Sequence, residues 1–215
     1  MTGRYMAGVG LMTAAALVTT WLAYPILPSM VATHWDVHGK ANGFSPKWML
    51  FLLGPGLLAA TTLLIWLLPW LSPKSFAVEE FRPTFLQIML MTAALLAYIY
   101  AIILWTALGR AVNIGHALSG GICLFFLLLG NLMGKVRRNF FIGIRTPWTL
   151  ANERVWYATH RFAAKTMVAG GLVGLLITAA GFRSWPAIAA ALLGALIPAG
   201  YSLYFYKQLE RRGEL

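Results

Sequence analysis

Three side chains in the stretch "THWDVHG", Thr33 to Gly39, are of types that bind metals or move protons: His34, Asp36 and His38. They alternate. In an extended segment alternate residues share a face, with successive members about 6–7 Å apart. His116 is a fourth candidate, with Asn113 close by in sequence. Two or three imidazoles and a carboxylate make a donor set suited to a divalent ion, with zinc favoured by ligand type. Two readings compete with metal binding. One is a structured loop in which His34 and Asp36 bond backbone across a turn. The other is a contact that responds to pH, because histidine titrates near neutrality.

The second stretch is "KVRRNFFIGIRTPWTL", Lys135 to Leu150, with three cations in its first four residues and then apolar, aromatic, basic, proline and tryptophan positions. Phe140, Phe141, Ile142, Ile144 and Trp148 are costly to leave in water. Cations beside aromatics suit the headgroup layer of a membrane, where both find partners. Gly143 permits a tight bend, and Pro147 sets Thr146 extended and stops a helix from running through. A helix restarts at Asn152, a good N-cap, with Glu153 at its positive start. Trp156 and His160, four apart, share a face of that helix. Glu153 is seven residues, about 10 Å, from His160 and cannot reach it. Arg161 and Lys165 fall at the phosphate level.

The chain that must position these residues has 215 residues, 60% of them hydrophobic and only 11% charged, with six acidic side chains. Soluble domains carry roughly 25% charged residues. The direct reading is an all-α polytopic membrane protein. Six apolar runs are long enough to cross about 30 Å of hydrocarbon: Tyr5–Leu27, Trp48–Leu71, Phe85–Leu108, Val112–Met133, Phe162–Phe182 and Trp185–Tyr206. The first run is longer than a signal-peptide core and no small-x-small cleavage pattern follows it, so it reads as a retained span. The runs divide the chain into a two-helix unit at 1–71 with an outer loop at 28–47, two central helices at 72–133, and a cytoplasmic loop plus two helices at 134–215.

Of the seventeen cations, four (Lys40, Lys47, Arg110 and Arg183) lie in the first, third and fifth connections, and thirteen lie at the termini and in the second and fourth connections. Cations stay on the cytoplasmic side, which predicts both termini in the cytoplasm. The net charge of +11 is then an orientation signal rather than a nucleic-acid footprint. The spacings Gly130/Gly134 and Gly170/Gly174 let helices approach closely, within the monomer or in a dimer, so the oligomeric state is open. "GPG" at Gly54–Gly56 should kink or loosen the second span.

Here the residues resemble a known family. "GN" at Gly130–Asn131, "NFFIGIRTPWTL" at Asn139–Leu150 with Gly143, Arg145, Thr146, Pro147 and Trp148, and then Asn152, Glu153, Trp156, His160, Arg161 and Lys165 resemble the SdpI-type immunity family. At Arg138 that family usually carries proline. The outer loop resembles the N-terminal domain of unknown function that often precedes the signature, through Pro28, His34, Trp35, Gly39, Gly43 and Lys47. The resemblance implies a bacterial inner-membrane protein that protects a cell from a secreted membrane-active peptide, sometimes coupled to signalling through a cytoplasmic regulator.

No acidic residue falls inside a span, whereas proton-coupled transporters usually place a carboxylate near the midplane. There is no HExxH, Walker loop or nucleophile elbow. The single cysteine, Cys123, permits no internal disulfide and reads as a small buried hydrophobe. The expectation is a non-enzymatic membrane binder or sensor without a cofactor. A small peptide or lipid transporter or channel is the alternative, with Gln87, Thr92, Asn131 and His116 as candidate cavity residues.

Overall fold

In a computed structural model describing residues 2–36 and 38–215, six helices are long and apolar enough to cross a membrane. They are α1 (Thr2–Ala23), α2 (Met49–Leu71), α3 (Arg82–Ala107), α4 (Ile114–Met133), α6 (Glu153–Ala179) and α7 (Ser184–Arg211). A one-turn helix, α5 (Pro147–Ala151), precedes α6. Between 22% and 33% of each span's most apolar window is buried. The remaining apolar surface faces outward, as a lipid-facing bundle requires. The chain is a multi-pass cell-membrane protein.

The helices pack in two groups. α1, α2 and α3 pack on one another, and α6 packs most extensively against α7 and α4. α3 and α4 join the groups. The main core runs through Val9, Leu50, Leu58 and Phe85 to Trp156 and Met167, and a smaller core gathers Cys123, Ala187 and Ala191.

α2 contains the irregularity expected at its "GPG" motif. Leu52–Gly56 forms a π-turn around Pro55. The amide of Leu57 reaches back five residues to the carbonyl of Leu52, because proline has no N–H and clashes with the preceding turn. Gly54 lies against the ring of Tyr100, and a Cβ there would overlap three ring atoms. The wide turn therefore also seats α2 on α3.

The first connection holds a feature the sequence reading lacks. β1 (Met30–Trp35) pairs antiparallel with β2 (Ala41–Pro46), with Val31 opposite Ser45 and His34 opposite Gly43. The register shifts on both sides of His34, and a Cβ at Gly43 would lie 2.8 Å from the His34 Cβ. Lys47 follows the hairpin and extends its ammonium to the carbonyls of Tyr24 (2.9 Å) and Leu27 (3.3 Å), over the Tyr24 ring. It thus ties the end of the hairpin to the turn that follows α1.

Gly39 in the hairpin turn lies against the amide of Gly115, and Gly115 lies against Ser184. One end of the bundle therefore holds the hairpin and the starts of α4 and α7. At the other, Arg154 pairs with Glu214 at 2.8 Å, and Phe76 meets Phe140 with ring centroids 4.2 Å apart. That end gathers the 72–81 connection, the 134–152 connection and the C-terminus.

Candidate functional site

At the termini end, residues 134–152 fold into a plug over the start of α6. Asn139 is fully buried and organises its first turn. Its Nδ2 donates to the carbonyls of Arg137 (2.8 Å) and Ile142 (3.0 Å), and its Oδ1 accepts from the amides of Phe141 (2.7 Å) and Ile142 (2.8 Å). All four capacities of a primary amide are used. Arg145 donates through Nη1 to the carbonyl of Phe140. Arg138 reaches across the plug to the carbonyl of Leu150 at 3.1 Å and lies over the ring of Phe76.

His160 locks the plug to α6. Its Nε2 accepts from the amide of Ile144 at 3.0 Å, and its Nδ1 lies 2.8 Å from the carbonyl of Trp156. A backbone amide only donates and a carbonyl only accepts, so the ring is neutral with its proton on Nδ1. The His160 ring stacks on Trp156 with centroids 4.1 Å apart. The Trp156 indole in turn donates to the carbonyl of Val136 at 2.8 Å. Gly143 passes beside this ring at φ +110°, where a Cβ would overlap Nε2.

The second half of the plug is α5. Thr146 caps it in an extended conformation, its hydroxyl accepting from the Thr149 amide at 3.2 Å, and Pro147 takes the first helical position. Pro147 thus starts a short helix instead of merely ending one. The Thr149 hydroxyl donates to the carbonyl of Ile144 at 2.8 Å. Thr146 also meets the Ser202 hydroxyl at 2.9 Å, which ties the plug to α7. Asn152 then caps α6 by accepting from Val155 at 3.2 Å.

The signature residues divide by this geometry. Asn139, Gly143, Arg145, Thr146, Pro147, Asn152, Trp156 and His160 hold the plug. Trp148 is half-buried, while Asn131, Glu153, Arg161 and Lys165 are exposed. Sequence reasoning placed Trp156 beside His160 but missed Thr149 and Ser202. The available sign of the first was its place three residues after Thr146, a residue type that favours N-caps, although the sequence alone suggested only Asn152 as a cap.

The hairpin end does not gather its candidates. Asp36 turns its Oδ1 to the amides of His38 (2.8 Å) and Lys40 (2.9 Å). These bonds, Lys40's first, hold its carboxyl below the usual carboxylate range. His34 Nδ1 lies 2.6 Å from Asn42 Oδ1. His116 lies in the first turn of α4, which Asn113 caps by accepting from the His116 amide at 3.1 Å. Among the described residues no three His, Cys, Asp or Glu side chains converge on a metal-sized point. Val37 lies outside the described residues. Adding a chelator to the purified protein is expected to leave its melting temperature unchanged. A fall that zinc restores would instead place an ion among these histidines.

The candidate cavity residues are also dispersed. Gln87 and Asn131 are exposed, and Thr92 donates to the carbonyl of Ile88 on its own helix.

Residues 135–202 match the SdpI/YfhL protein family, and residues 11–59 match a domain of unknown function, DUF1648. The chain carries an SdpI-family domain. That domain runs from Lys135, near the start of the plug, to Ser202, the residue that receives the plug on α7. Immunity protein SdpI of Bacillus subtilis (strain 168) is 26% identical over 202 residues, covering 90% of this chain and 92% of that protein. No solved structure matches the chain. The DUF1648 match covers most of α1, the hairpin and the π-turn, so it contains Gly39, Gly43 and Lys47, whose contacts shape the hairpin end. In the region matched to SdpI likewise, most motif residues hydrogen-bond to the plug's own backbone or pack on one another.

Proposed function

We propose that this protein is a non-enzymatic immunity or sensor protein of the cell membrane, protecting against or responding to a membrane-active antimicrobial peptide. The supporting observation is the likeness to Immunity protein SdpI over nine-tenths of the chain, with both matched regions present. In this reading the hairpin end faces outward and meets the peptide, and Phe44, 58% exposed on β2, offers it an apolar contact. The plug faces the cytoplasm, where Arg161, Lys165 and Glu153 present charges to a regulator. The orientation rests on the partition of cations between the two ends.

The test is survival. Bacteria expressing the chain are challenged with a panel of secreted membrane-active peptides, and colonies are counted against an empty vector. Protection is expected against at least one peptide, and Phe44→Ser is expected to weaken it with membrane levels unchanged. In a Cys123→Ala background, Phe44→Cys should react with an impermeant maleimide on intact cells and Arg212→Cys only after permeabilisation. Absence of protection across the panel would remove the immunity reading, and the reverse labelling pattern would remove the orientation.

A further inference from the structure

α3 shows lipid a narrower surface than α1 does. From Gln87 onward its exposed residues are Gln87, Ala94, Tyr98, Ala101 and Trp105. Half-buried Met91 and exposed Leu108, just past the helix, complete the same row. Its steps alternate between four and three residues. That makes a single file along the helix, the repeat of about 3.5 residues by which two helices pair. α1, by contrast, exposes a broad arc that includes Leu11, Val18, Trp21 and Leu22. A groove runs on each side of the α3 row. One of about 660 Å³ lies between α1 and α3, walled by Ala15, Ala97 and Ala101 among others. The other, about 470 Å³, lies between α3 and α4, beside Ala94, Gly120 and Gly121. The row is fixed in shape where it borders α4. The Tyr98 hydroxyl donates to the carbonyl of Ala117 at 2.9 Å, and its ring lies where a Cβ on Gly121 would be.

Gln87 is the amide in this otherwise apolar and aromatic row. It lies five residues, about 7.5 Å, inside Arg82. Among the described residues its side chain has no hydrogen-bond partner. A primary amide carries both donors and an acceptor, so it complements a copy of itself. The row contains no Lys, Arg, Asp or Glu, so two copies in register bring no like charges together along it. We propose that α3 is the seam of a parallel homodimer whose two-fold axis runs along the membrane normal, with Gln87 bonded to the partner's Gln87. Copies inserted with one topology pair residues of equal depth about such an axis. Ala94 and Ala101 allow the helices to approach closely. Tyr98 and Trp105 are the large side chains that the flanking grooves receive. A single polar residue on a seam of this kind fixes its register. The assembly goes beyond the immunity reading, and its test needs no peptide.

Cysteine cross-linking in native membranes tests the seam, with single cysteines placed in the full-length Cys123→Ala protein and oxidised. Ala94→Cys and Ala101→Cys should give disulfide-linked dimers. Leu63→Cys on α2 and Leu193→Cys on α7, where the native side chains are both 57% exposed, should give only the slow product of random collision. Single-molecule photobleaching of the labelled protein, diluted in liposomes, then measures the dimer fraction. Gln87→Leu should weaken the dimer about tenfold, within the range that one interhelical polar bond supports in a membrane. Gln87→Asn should keep most of the affinity, and melting in detergent checks that both variants fold. Disulfides forming no faster at 94 and 101 than at 63 and 193 would overturn the proposal. So would single-step bleaching of the unaltered protein at every density, or a cross-linked product that contains a different protein. A dimer that Gln87→Leu leaves equally stable would overturn the paired amide and the register it sets.

Discussion

Gly143→Ala is expected to loosen the plug from α6 and to lower the stability of the SdpI domain by several kcal/mol. Two separate effects combine. At φ +110° the backbone lies where side chains with a Cβ are strained, a cost of about 1–3 kcal/mol. The new methyl would also overlap His160 Nε2, and forcing an extra carbon into a packed site costs about 1–3 kcal/mol more. The ring cannot retreat freely, because Trp156 stacks on it and the Trp156 carbonyl holds Nδ1. His160→Ala is damaging for a different reason. It leaves the Ile144 amide without its acceptor, about 1–3 kcal/mol for a buried group, and empties space beside Trp156. The pair distinguishes the effects. In the His160→Ala background, Gly143→Ala should retain only the backbone cost, so the double variant should be more stable than the two single losses add up to. Melting in detergent, with hydrogen exchange over residues 139–150, measures both. Strictly additive losses would mean that the glycine and the histidine do not contact.

How much of this was readable in advance differs by physical cause. The six spans were legible because apolar length is a direct measure of membrane thickness, and their observed bounds shift by only a few residues at most ends. The fifth span continues back to Glu153 in one unbroken helix capped by Asn152, as the Asn152 and Glu153 pattern indicated. The Trp156 and His160 pair was legible because helical spacing puts positions four apart on one face. What His160 does was not, because its partner is the backbone amide of Ile144, and a backbone donor leaves no mark in the residue type. The hairpin was missed for a related reason. β2 reads "ANGFSP", with glycine and proline and no β-branched residue, so it lacks the usual strand signal. Its pairing is supported by the turn at Asp36 and by the anchoring of Lys47 on the turn that follows α1. The same turn explains why alternate spacing misled. Asp36 bends the chain back toward Lys40, so His38 leaves the strand on which His34 lies. The "GPG" irregularity was visible as a tendency, but Tyr100 as the surface that Gly54 fits against was not.

The glycine pairs separate packing inside one molecule from association between molecules. Gly174→Val is expected to disrupt the α4, α6 and α7 cluster severely. A Cβ at Gly174 would overlap Cys123 Sγ and lie 2.7 Å from the carbonyl oxygen of Ala187, so the added side chain is opposed from two helices at once. The thiol can be removed but the carbonyl cannot. Cys123→Ala should therefore rescue Gly174→Ala partly and Gly174→Val hardly at all. Gly134 makes the comparison, because a Cβ there meets nothing within 4 Å. Gly134→Ala should leave the melting temperature and membrane yield close to those of the unaltered protein. If Gly130 and Gly134 formed a dimer seam, Gly134→Ala would instead shift the oligomeric state seen by cross-linking in membranes. Gly130 argues against such a seam, since it lies within the molecule against Met167 and the amide of Val168. The helix that carries His160 is thus fixed at one end by the plug and along its middle by glycine contacts. Gly174→Val should abolish protection in the survival assay together with folding, whereas Phe44→Ser should reduce protection alone.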